Sequence, residues 1–64
     1  MNKVQELRAK TGLSQSKFAK YFGIPTHTLQ LWEQEVRKPT LYMVDMMERI
    51  LILEHKIESK YDNK

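Results

Sequence analysis

The chain has 64 residues, a formal charge of +3 and a pI near 9.3, which leaves room for one small domain with a modest core. It contains no cysteine, so a disulfide framework and a thiolate zinc site are excluded, and a reducing cytoplasm is the expected setting. Residues 1–4 lack the apolar run of a signal peptide, and the longest apolar stretch, Ile50 to Leu53, is far too short to span a bilayer, so no membrane association is expected.

Asn2 reads as an N-cap with Gln5 at the capping-box position, and Val4 and Leu7 follow one helical turn apart. Gly12 ends that first helix, because it adopts a positive φ without steric cost. Ser14 caps a second segment in which Phe18, Ala19 and Phe22 share one apolar face, and Gly23 stops it. Pro25 suits the start of a third segment, where its missing N–H has no acceptor to lose. Leu29 and Trp32 lie on one face of that segment. His27, Gln30, Leu31 and Gln34 point away from them, with Thr26 and Thr28 on the flanks.

Arg37-Lys38-Pro39 breaks the pattern and Thr40 caps a last helix, which meets no Gly or Pro and therefore reads as running on toward residue 64. Val44, Met47 and Leu51 form its core face. Met43, Met46, Ile50, Leu53 and Ile57 form a second apolar stripe with spacings of three and four, as in a coiled-coil seam. No strand pattern or internal repeat is present. The expected architecture is all-α with four helices, as one domain over residues 1–58 and a frayed polar tail at 59–64.

Ser14 through Glu33 is the informative unit: a helix of about eight residues, a short turn opening with Gly23, and a second helix of similar length make a helix-turn-helix. Ala19 is small where the two helices approach. Ile24, Leu29 and Trp32 pack on Phe18 and Phe22, fixing the angle between them and holding a polar helix face outward, in a shape that enters a major groove. Charge agrees with a polyanionic partner. Residues 1–39 carry seven Lys/Arg against three acids, whereas residues 40–64 carry four against five. His27 and His55 have no further ligands at metal spacing, so no metal or cofactor is expected. Nor does any paired-carboxylate site, activated nucleophile or phosphate loop point to an enzyme.

Residues 4–51 resemble the Xre-type helix-turn-helix family, which includes lambdoid phage repressors and Cro proteins. The resemblance rests on Leu7-Arg8, Gly12-Leu13-Ser14-Gln15, Phe18-Ala19, Phe22-Gly23-Ile24, Leu29, Trp32-Glu33 and Pro39. It implies that Thr26, His27 and Leu31 read base edges, flanked by Thr28 and Gln30. Gln15 would support the recognition helix and contact phosphate, and Gln34 and Arg37 would lie near phosphate, with Lys17 and Lys38 as further expected phosphate contacts. It also implies a partly buried Arg8–Glu33 salt bridge between the first and third helices.

Two features depart from the family pattern. Glu35 stands where glycine usually ends the recognition helix, so either that helix runs on or Glu35 takes a left-handed conformation. The usual fifth helix is missing, and the fourth reads as lengthened in its place. Leu31 fits either a thymine methyl or a dimer or loop contact.

The second stripe fits a homodimer seam, or else a helix that bends back to complete the core. Double-stranded DNA is the expected partner, read by a dimeric transcription regulator that represses by occupying a promoter. The alternative is an antitoxin-like interaction module that uses the stripe to hold a toxin-like protein and regulates its own promoter.

Overall fold

A computed structural model describes residues 2–58, and the expected polar tail at 59–64 lies outside the described residues. Four helices follow in order: α1 (Lys3–Thr11), α2 (Gln15–Phe22), α3 (Thr26–Glu33) and α4 (Leu41–Leu53). Among the described residues there is no strand, and no helix is long and apolar enough to cross a membrane.

The helix ends follow local chemistry. Asn2 Oδ1 accepts from the Gln5 amide at 2.9 Å while Gln5 Oε1 accepts from the Asn2 amide at 2.9 Å, a complete capping box. Ser14 Oγ accepts from the Lys17 amide at 3.2 Å, and Thr40 Oγ1 from the Met43 amide at 3.0 Å. Gly23 closes α2 with φ +71°, which lets the Ile24 amide reach back to the Ala19 carbonyl at 2.9 Å.

Glu35 resolves the choice posed by the missing glycine: α3 stops, and Glu35 is left-handed with φ +63°. The Val36 amide then reaches the Leu31 carbonyl at 3.0 Å and the Glu35 amide reaches Trp32 at 3.1 Å, so the orphan carbonyls are satisfied despite the Cβ.

The last helix departs from expectation. It does not run on but ends at Leu53, where His55 turns left-handed at φ +60° and the Lys56 amide bonds the Leu51 carbonyl at 2.8 Å. Ile57 therefore lies beyond the helix and packs against the core, which removes it from the proposed seam. Met43, Met46 and Leu53 stay exposed on α4, Ile50 is half-buried, and Tyr42, exposed as well, lies in phase with them.

Val4, Leu7, Phe18, Ala19, Leu29, Met47 and Leu51 form the buried core, with Phe22, Ile24, Trp32 and Val44 packed around it. Phe18, Leu7, Leu29 and Leu51 are fully enclosed, each contributing about 1.5–3 kcal/mol of transfer free energy. Phe18 and Phe22 meet edge to face at 5.0 Å. α2 and α3 share the most extensive packing of any helix pair, so the angle between them is set by the core and not by the turn alone.

Candidate nucleic-acid interface

With Leu29 fully enclosed, Glu33 buried and Trp32 against the core, α3 turns its opposite side, around His27, outward. His27 is exposed in the first turn. Thr26, Thr28, Gln30 and Leu31 are half-buried along the same helix, and Gln34 is exposed at its end. Lys17, Arg37 and Lys38 are exposed on the adjoining segments and make no ion pair among the described residues. α3 also begins without a side-chain cap, so its first-turn amides, at the positive end of the helix dipole, have no capping side chain.

Beneath this face lies a polar brace. Arg8 grips the Glu33 carboxylate with two bonds, Nε to Oε2 at 2.7 Å and Nη2 to Oε1 at 3.1 Å. Its Nη1 also donates to the Leu13 carbonyl at 3.0 Å, tying the α1–α2 turn to the same guanidinium. Gln15 Nε2 donates to Glu33 Oε1 at 3.0 Å. Burial alone pushes the Glu33 carboxyl up. The bond from Arg8, the bond from Gln15 and the Arg8 charge outweigh it, and the group is held below the usual carboxylate range. Arg8 is held above its ordinary value, chiefly by the bond to Glu33.

Through the brace Gln15 is tied to the end of α3. One Nε2 hydrogen is committed to Glu33 and only the second remains for a phosphate oxygen. Asn2 plays a part that its sequence position does not reveal. Besides capping α1, its Nδ2 donates to the Trp32 and Glu33 carbonyls at 3.0 and 3.2 Å, so the start of α1 caps the end of α3. The cap on α1 is readable from Asn2 and Gln5. The bond to a helix 30 residues away carries no local signal. His55, exposed beyond α4, takes no part in this face.

A helix-turn-helix family model matches residues 4–55, which spans α1 through α4 and most of the described chain. No curated protein and no solved structure matches it. The matched span, the four-helix order and the α2–α3 unit together make this chain a member of the Xre-type helix-turn-helix family of DNA-binding regulators.

Proposed function

We propose that the chain is a sequence-specific repressor that seats α3 in the major groove of double-stranded DNA and acts by occupying a promoter. Thr26, His27, Thr28, Gln30 and Leu31 contact base edges. Gln30 suits bidentate reading of adenine, and Leu31 suits a thymine methyl. Gln15, Lys17, Gln34, Arg37 and Lys38 contact phosphate and set the register of the helix in the groove. Two copies read a roughly palindromic operator whose half-sites lie about 34 Å apart, with the α4 stripe as their seam.

One observation carries the reading. The polar face of α3 stands over a fully enclosed Leu29 and a braced Glu33, so its side chains are presented by a rigid support. Pre-organisation of that kind lowers the ordering cost of reading a groove.

Selecting bound sequences from a random DNA pool at two salt concentrations tests it, followed by binding of the selected site to His27→Ala and Gln30→Ala chains. Each variant is expected to lose about ten- to hundred-fold in affinity for the selected site and to relax preference at one base position. Unchanged affinity and unchanged preference in both variants refute the assignment of α3 to the groove.

A further inference from the structure

We infer that the outer face of α4 pairs with the same face of a second copy of this chain, the two helices running antiparallel. The inference deepens the dimeric operator reading above and rests on it for its use, though not for its physical argument.

Tyr42, Met43, Met46 and Leu53 are 74%, 42%, 37% and 76% exposed, with half-buried Ile50 between them. At 3.6 residues per turn these five fall within about 100° of arc on α4, beside the arc of Val44, Met47 and Leu51 that faces the core. A continuous row of large apolar side chains on so small a domain is the mark of an interface. Its occupant is indicated by charge. Asp45 and Arg49 line one flank of the row, side chains 47% and 61% exposed, with Arg49 Nε 2.9 Å from Asp45 Oδ2.

A two-fold axis parallel to the helices would set this charged flank against the apolar opposite flank of the partner. An axis perpendicular to them sets the flank against its own copy in reverse order. Acid then comes level with base within about two residues, close to 3 Å of helix rise, a gap that an arginine side chain spans. Only the antiparallel arrangement matches both the apolar row and the charges. It stacks Met46 on Ile50 of the partner subunit and Met43 on Leu53 of the partner subunit.

Two measurements test the pairing on the full chain. In sedimentation equilibrium, Asp45→Arg and Arg49→Glu chains each carry two like charges on the flank, and each alone is expected to dimerise about ten-fold more weakly than the native chain. A one-to-one mixture restores opposite charges across the interface but not within either helix, so recovery toward native strength reads the intermolecular contact alone. Because the chain has no cysteine, single cysteines report geometry directly. Mixed Met43→Cys and Leu53→Cys chains are expected to form the crossed disulfide, and neither variant to link with itself.

A native chain that stays monomeric at about 100 μM, or that assembles only when a different protein is supplied, overturns the inference. So does a mixture no stronger than its components, or a Met43→Cys chain that links to itself. A dimer that behaves as expected but shows no preference in the DNA selection sinks the operator reading and leaves this one standing.

Discussion

Replacing Arg8 with alanine tests whether the brace under α3 carries the weight its geometry implies. The change leaves the Glu33 carboxylate, whose side chain is 5% exposed, with Gln15 as its remaining side-chain donor. Stranding a buried charge costs about 3–5 kcal/mol, and the surviving Gln15 bond places this case near the lower end, at about 3 kcal/mol. For a domain of this length the total stability is about 3–10 kcal/mol, so the loss is large enough to bring the variant close to unfolding.

Urea denaturation of the native and Arg8→Ala chains across pH gives the difference directly. In the native chain the depressed Glu33 carboxyl contributes stability above its unfolded pKa near 4.3, and that contribution disappears as pH falls through the folded value. In the variant, burial without Arg8 raises the same carboxyl. Protonation at falling pH then relieves the stranded charge, and the variant gains stability relative to the native chain. The gap between the two chains is therefore widest near neutrality and narrows as pH falls, first through the variant's raised Glu33 value and then through the native chain's depressed one. A difference under about 1 kcal/mol at pH 7, or one that does not change with pH, refutes the reasoning.

Asn2→Asp keeps an acceptor for the Gln5 amide but removes the donor to the Trp32 and Glu33 carbonyls and puts a negative charge at the C-terminus of α3; a loss of about 1–2 kcal/mol in urea denaturation is expected, and none if Asn2 serves only as a cap. Glu35→Gly relieves a left-handed Cβ at φ +63°, and after the entropy of a freer unfolded chain it gains about 0.5–1 kcal/mol, seen as a melting temperature several degrees higher by circular dichroism. Lys38→Ala weakens DNA binding almost equally for all sequences and lowers the salt slope by about one per subunit; a sequence-dependent loss instead would move Lys38 from the phosphates to the bases.

Much of this fold is determined by short-range chemistry and is legible in the residues themselves. Asn2 with Gln5, Ser14 and Thr40 start three of the helices, and Gly12 and Gly23 end two, because capping and left-handed turns depend on neighbours within one turn. The enclosure of Phe18, Leu29 and Leu51, and the outward placement of His27, follow from helical periodicity. The Arg8–Glu33 pair was legible only through the family resemblance.

Tertiary structure decided the rest. α4 ends at Leu53 with a histidine, not a glycine, in the left-handed position, because packing Ile57 against the core outweighs a local preference that alone favours more helix. Glu35 is held left-handed in the same way, by satisfied carbonyls at Leu31 and Trp32. Asn2 to α3 and Gln15 to Glu33 join residues far apart in sequence, and no window of one or two turns contains both partners. Local rules act through the backbone of adjacent residues, whereas these bonds exist only once Leu7, Phe18 and Leu29 have closed the space between the helices.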